Sequence, residues 1–197
     1  MSRLIDLNVG AGALKNVSHM LDNYQRHFEP YQDREIVLLE LGIYEGGSLR
    51  LWEEFFPKGS IIGVDCNRGD RSYGRITEYG GQQQDIELLS RIAAAHAPDG
   101  FDIIIDDCSH VGSLTRTSFI HLFYKHLKSG GLYSVEDWGV SYEGGSWEGE
   151  PYAGKNHLFG IVGFVKDRID TMQPSDKWEG PIESVTFYQE QIIFRKR

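Results

Sequence analysis

The densest run of chemically capable side chains in the 197 residues is Asp106-Asp107-Cys108-Ser109-His110, followed downstream by Glu136-Asp137. Each group closes an apolar run, Phe101 to Asp106 and Gly131 to Glu136, and such runs suit parallel strands covered on both faces. Adjacent strands lie roughly 5 Å apart. Carboxylates brought that close raise one another's pKa values unless protons or a cation compensate, and an oxygen-liganded divalent metal is the economical compensation. Oxygen donors with a single imidazole favour Mg2+ or Mn2+ over zinc, and Cys108 has no second thiol partner. Glu136 and Asp137, as neighbours on a regular strand, point to opposite faces, so both can serve one ion only if the chain bends there.

His110 suits a general base, since a neutral imidazole at pH 7 can take a proton from an alcohol. Alcohols are weak acids, and a metal on the hydroxyl lowers its pKa, so base and metal make sense together. Asp106, Asp107 and His110 could instead cap the next helix, which stabilises by about 1 kcal/mol. Capping would account for one acid more readily than for four acids and a histidine at two strand ends. His19, His27, His96, His121, His126 and His157 have no acidic cluster nearby in sequence and read as surface or packing residues.

A second constellation is Glu40-Leu41-Gly42-Ile43-Tyr44-Glu45-Gly46-Gly47-Ser48. Its Glu-x-Gly-x-x-x-Gly spacing differs from the Gly-x-Gly-x-x-Gly that cradles a pyrophosphate at a helix N-terminus. S-adenosylmethionine carries a sulfonium, an ammonium and one carboxylate, so acidic residues at the turn favour that ligand. Gly42, Gly46 and Gly47 would allow close backbone approach, and Ser48 could bond the methionine carboxylate. Asp65 ends the next apolar run, where a carboxylate can accept both hydroxyls of an adenosine ribose; that placement alone does not separate this cofactor from NAD.

These positions require a βα scaffold. Residues 1–33 read as a helical lead-in, with Leu21, Tyr24 and Phe28 on one face. Ile36 to Leu41 predicts a buried strand, Leu49, Trp52, Phe55 and Phe56 a helix, and Ser60 to Asp65 the next strand, together a βαβ unit. A weaker strand comes near Arg75 to Tyr79, then a helix from Asp85 to His96, then the strand from Phe101. A helix with Phe119, Leu122, Phe123 and Leu127 on one face is expected to stop at Ser129, Gly130 and Gly131. A further helix runs through Leu158, Val162, Val165 and Ile169, and Glu183 to Tyr188 and Gln191 to Arg195 form a closing hairpin. The expected fold is α/β and Rossmann-like: a mostly parallel seven-stranded sheet with a C-terminal antiparallel hairpin and helices on both faces. This is the outline of a class I methyltransferase.

One domain accommodates the whole of residues 1–197. With 20 basic residues against 29 acidic ones, a net charge of −9 and no basic block, nucleic acid is an unexpected ligand. Cys66 and Cys108 cannot form a disulfide framework, which fits a reduced, cytoplasmic setting. No apolar run approaches the roughly 18 residues of a spanning helix and no leader pattern opens the chain, so a soluble, unprocessed protein is expected.

Taken together, Leu38-Leu39-Glu40-Leu41-Gly42, Gly46-Gly47-Ser48-Leu49, Phe56-Pro57-Lys58-Gly59, Asp106-Asp107-Cys108-Ser109-His110 and Val135-Glu136-Asp137 resemble the metal-dependent sugar O-methyltransferases of macrolide tailoring, related to proteins labelled cephalosporin hydroxylases. The resemblance covers roughly Ser18 to Arg168. It implies Asp107, Glu136 and Asp137 as Mg2+ ligands, His110 as catalytic base, and Asp106 facing the amino end of S-adenosylmethionine. Gln83 and Asp85 fall near the adenine. Cys108 stands where the family usually has Gly, and Gln82 where a Gly-Asp-Gln-x-Asp segment has its first acid. Family members commonly form homo-oligomers. The chain is expected to be without the long N-terminal domain that some relatives use for assembly and substrate enclosure, so macrolide specificity does not carry over.

After Glu136-Asp137, residues 138–153 read as a lid, with Trp138, Tyr142, Trp147 and Tyr152 among glycines that include Gly144, Gly145, Gly149 and Gly154. Aromatic faces pack on sugar C–H surfaces, and glycines permit closure that excludes water; the same aromatics could simply tuck onto the domain. The expected acceptor is a small, glycosylated molecule, with a catechol as another option. Two competing readings are a methyltransferase fold that binds cofactor or protein without turnover, which Gln82 and Cys108 weakly support, and a nucleotide-cofactor oxidoreductase.

Overall fold

A computed structural model describes residues 3–7, 18–142, 160–171 and 180–197. Eight strands form one sheet: β1 (Val37–Leu41), β2 (Ser60–Asp65), β3 (Arg71–Tyr73), β4 (Ile76–Gly80), β5 (Phe101–Asp106), β6 (Leu127–Glu136), β7 (Ile182–Phe187) and β8 (Gln191–Lys196). Their spatial order is β3-β4-β2-β1-β5-β6-β8-β7. The five inner strands from β4 to β6 run parallel, while β3 and the β7–β8 hairpin pair antiparallel at the two edges. The sheet has eight strands against the seven expected. The additional one is the three-residue edge strand β3, whose exposed Arg71 and Ser72 lack the apolar signal of a buried strand.

Alternation along the strands sends side chains to two separate cores. On one face, Leu38, Ile61, Ile103, Ile105 and Leu132 pack under α1 (Ser18–Phe28) and α2 (Gly47–Phe55), with Tyr24, Phe28, Trp52, Phe55 and Phe56 fully buried. Each large side chain buried there contributes about 1.5–3 kcal/mol. On the other face, Leu39, Leu41, Ile104, Tyr133 and Val135 meet α3 (Ile86–His96), α4 (Gly112–Lys125) and α5 (Ile161–Thr171). Helix α4 stops at Lys125, earlier than its apolar spacing suggests: the His126 amide closes on the Leu122 carbonyl, and Leu127 already pairs with Phe101 on β5. The lead-in is helical at α1 and in short 3-10 turns at Leu4–Asp6 and Glu29–Tyr31.

Connections leave β1 and β5 in opposite directions across the sheet, β1 toward β2 and β5 toward β6. The carboxyl ends of these two neighbouring strands therefore border a topological switch point, the usual ligand crevice of an open α/β sheet. Glu40, Asp106 and Asp107 all lie there. Among the described residues, no helix is long and apolar enough to cross a membrane.

Candidate functional site

Two acid groups share Asp107. In one, Asp107, His110 and Asp137 each offer a ligand atom within 4.8 Å of the others, all at intermediate exposure. In the other, Glu40, Asp107 and Glu136 do the same with Glu40 and Glu136 buried. Asp107 thus lies within reach of both Glu136 and Asp137, each in its own group. Glu40, assigned from sequence to the cofactor turn, joins the acids.

The bend that would let Glu136 and Asp137 serve one site is present. Strand β6 ends at Glu136 and Asp137 turns left-handed with φ 51°, its amide fastened to the Glu190 carbonyl at 2.8 Å. His110 is also left-handed, with φ 56°, and its Nε2 lies 3.7 Å from Asp137 Oδ2. Non-glycine residues in this region cost about 1–2 kcal/mol each, and such strain concentrates at functional sites. The third example, Tyr44 with φ 43°, lies in the turn after β1.

Asp106 goes elsewhere. Register pairs it with Leu41 and Val135, so it shares their face, opposite to Glu40 and Glu136. Its Oδ2 accepts from Ser118 on α4 at 2.7 Å and from Tyr133 on β6 at 3.1 Å, and its Oδ1 from Gln83 at 3.2 Å. Burial pushes its pKa up to about 6 despite these donors. Asp106 therefore braces α4 and β6.

The glycine turn is shaped mainly by the protein itself. Gly42, with φ 80°, has no room for a Cβ, which would meet the Asp107 carbonyl oxygen at 2.1 Å and Cys108 Cα at 2.6 Å. Its smallness lets the turns after β1 and β5 cross. Gly46, with φ 81°, N-caps α2 beside Arg68 and Glu78. The Ser48 hydroxyl, expected on a methionine carboxylate, donates to Glu40 Oε2 at 2.8 Å.

Asp65 accepts from the amides of Ile43 at 3.0 Å, Tyr44 at 3.1 Å and Asn67 at 2.8 Å, holding the turns after β1 and β2 together. Gln83 bridges too: its Oε1 accepts from the Ser109 amide at 3.0 Å, tying the loop after β4 to the segment that carries Asp107 and His110. Asp85 is exposed and caps α3 by accepting from the Leu88 amide.

Three residues that sequence reading missed hold the acids. The Tyr24 hydroxyl on α1 donates to Glu136 Oε1 at 2.5 Å; Trp52 Nε1 on α2 donates to Glu40 Oε2 at 3.2 Å. Ser118 was on the predicted helix, but its bond to Asp106 follows only from the strand face. Beside Gly46, buried Glu78 receives two guanidinium bonds from Arg71 at 2.8 Å and one from the Tyr73 hydroxyl. Burial opposes ionisation of Glu78, yet these partners and Arg68 hold its pKa below the usual value.

Of the expected lid, Trp138 to Tyr142 forms a 3-10 turn. Trp138 donates to the Tyr188 carbonyl at 2.9 Å and meets the Phe187 ring edge-on, tucked onto the hairpin rather than standing as a platform. Residues 143–153, with Trp147, Tyr152, Gly144, Gly145 and Gly149, and also Gly154, His157 and Leu158, lie outside the described residues. The remaining described histidines have partners of their own: His19 with Glu190, His27 with Tyr188, His96 with Tyr79, and His121 with Ser90, while His126 packs its ring 4.9 Å from that of His121. Both cysteines are free thiols.

The chain is similar to known proteins in sequence and in fold. Demethylmacrocin O-methyltransferase of Streptomyces fradiae is 39% identical over 174 residues, spanning 81% of this chain and 42% of its own length. Mycinamicin VI 2''-O-methyltransferase of Micromonospora griseorubida is 36% identical over 182 residues, 87% of this chain and 44% of its own. The structure of MycE methyltransferase from the mycinamycin biosynthetic pathway, in complex with Mg, SAH and mycinamycin VI, superposes with a TM-score of 0.74 at 33% identity, over 94% of this chain and 50% of that one. The chain is a relative of the sugar O-methyltransferases. Its fold is the class I methyltransferase fold, and it spans about half the length of the sugar O-methyltransferases it matches. No family model matches the chain.

Proposed function

We propose that the chain is an S-adenosylmethionine-dependent, Mg2+-assisted O-methyltransferase acting on a hydroxyl of a sugar or glycosylated small molecule. The observation that carries this is the pair of acid groups sharing Asp107, with His110 beside them, at the switch point. Three carboxylates with ligand atoms within 4.8 Å repel unless a cation or proton compensates, and a donor set of carboxylates with one imidazole fits Mg2+ or Mn2+.

Asp107, Glu136 and Asp137 are the proposed ligands, with Glu40 beside them. When bound, the metal acidifies the acceptor hydroxyl, and S-adenosylmethionine supplies an activated methyl group. His110 accepts the hydroxyl proton, and Asp137 at 3.7 Å stabilises the resulting imidazolium. The turn from Glu40 to Ser48, with Gly42 and Gly46, lies beside the cofactor, shaped by Asp65 from β2. Gln83, Asp85 and Asp106 act behind it, through the loop after β4 and through α4.

The acceptor class rests on the relatives, whose names carry macrocin, mycinamicin and olivosyl-oleandolide, and on the mycinamycin VI bound to MycE methyltransferase. A homo-oligomer is proposed on the same relationship, with light scattering as its check. Two free thiols support a cytoplasmic setting.

The test is calorimetric titration of S-adenosylhomocysteine with and without Mg2+, followed by mass-spectrometric screening of glycosides for a methyl gain. Cofactor binding with methylated glycoside is the expected result. No cofactor binding under any condition would remove the methyltransferase reading in favour of a nucleotide cofactor or a protein partner.

A further inference from the structure

Helix α1 lies on the sheet face that carries the buried acid group, and its contacts there are polar as well as apolar. Tyr24 is fully buried, with its ring between Phe28 at 4.7 Å and Trp52 at 5.1 Å between centroids. Its hydroxyl lies 2.5 Å from Glu136 Oε1 and 3.1 Å from Ser134 Oγ. Ser134 and Glu136 are alternate residues of β6 and face the same side. Trp52, edge-on to Tyr24, donates to Glu40. Two touching aromatic donors, one from each helix, thus hold two of the three carboxylates in the buried group.

We propose that Tyr24 is a positioning residue of the metal site, fixing the rotation of the Glu136 carboxylate so that the acid group is preformed for a divalent cation. This rests on the metal reading above. A carboxylate on a flexible side chain loses rotamer freedom when it binds an ion; one already held by a phenol has lost that freedom during folding. The charge-assisted bond from the phenol also draws negative charge away from the place where Glu40, Asp107 and Glu136 converge.

Helix α1 is itself anchored beyond the acid. Asn23 donates to Gln191 at 3.0 Å, and Gln191 is the β8 residue paired with Glu136. His27 meets the Tyr188 hydroxyl at 2.9 Å. These bonds fasten α1 to the hairpin, whereas the phenol itself is placed by its ring packing on Phe28 and Trp52 and by its bonds to Ser134 and Glu136.

The experiment is titration of Mn2+ by calorimetry into the full chain and into Tyr24→Phe, His27→Ala and Asp107→Asn, with circular dichroism to verify folding. Tyr24→Phe keeps the ring packing and removes only the hydroxyl; loss of an outer partner of a ligand weakens metal affinity about 10- to 100-fold. The expected result is a loss in that range, absent when Glu136→Gln is already present because the phenol acts through that carboxylate. His27→Ala loosens the same helix without touching Glu136 and is expected to bind Mn2+ as the unmodified chain does. Wild-type affinity in Tyr24→Phe, or equal loss in Tyr24→Phe and His27→Ala, overturns the positioning role and leaves the metal reading standing. No Mn2+ binding by the unmodified chain, or full binding by Asp107→Asn, overturns both.

Discussion

Asp137 and His110 hold left-handed backbone where a glycine would be less strained, and the side chains they present are the ones the proposed chemistry needs. Replacing Asp137 by Gly should therefore separate stability from function. Relief of strain is worth about 1–2 kcal/mol, partly offset by the backbone entropy of glycine at about 0.5–1 kcal/mol. The variant should melt at or slightly above the temperature of the unmodified chain in the absence of metal, yet lose Mn2+ affinity. A lower melting temperature would show that the Asp137 side chain holds the fold. His110→Gln should lower kcat by roughly 10²–10⁴, while calorimetry still records S-adenosylhomocysteine binding. An unchanged kcat would assign the base elsewhere.

At the scale of elements, the crossing of two turns at Gly42 is the tightest joint near the site. Gly42→Ala places a Cβ 2.1 Å from the Asp107 carbonyl oxygen at φ 80°, so the segment bearing Asp107 must move. Chemical denaturation should show a loss of stability above about 2 kcal/mol, within reach of a mutation that strains a special backbone conformation, together with weakened metal binding. Sequence reading reached the βα elements around this joint because buried parallel strands announce themselves as unbroken apolar runs. It missed β3, where Arg71 and Ser72 carry no such signal, and it carried α4 too far because Leu127 continues the helical spacing of Phe119 and Phe123. Among site residues the acids were legible as types at strand ends. The separation of Asp106 from Glu40 and Glu136 comes from the period of two, given the register of β1, β5 and β6, which the sequence does not print. Tyr24 and Glu136 lie 112 positions apart, and no local pattern links them; the apolar face of α1 marked Tyr24 for burial without showing its hydroxyl's partner.

Across the whole molecule, burial lowers the pKa values of His27, His96, His121 and His126 from 6.5, with neighbouring cationic groups adding to the effect at all but His96. The folded chain thus keeps these imidazoles neutral to lower pH than the unfolded chain does. Below pH 6.5 the unfolded state binds more protons, so stability is fully present above that pH and falls as pH drops through the window beneath it. Melting temperatures from about pH 7.5 to 5.5 should decline, with Asp106, raised to about 6, opposing part of the decline by taking up a proton in the folded state, and His121→Phe with His126→Phe should flatten the histidine contribution; an unchanged slope would place the sensitivity elsewhere. The acids at the switch point come from β1, β5 and β6, but the fixing of Glu136 and Asp137 depends on the C-terminal hairpin: Gln191 pairs with Glu136 and the Glu190 carbonyl takes the Asp137 amide. Strand β8 is synthesised after every one of those acids. A ribosome reading this message therefore delivers all of these acids well before the backbone that aims two of them exists, so Glu136 and Asp137 are expected to take up their final positions only once β8 has docked.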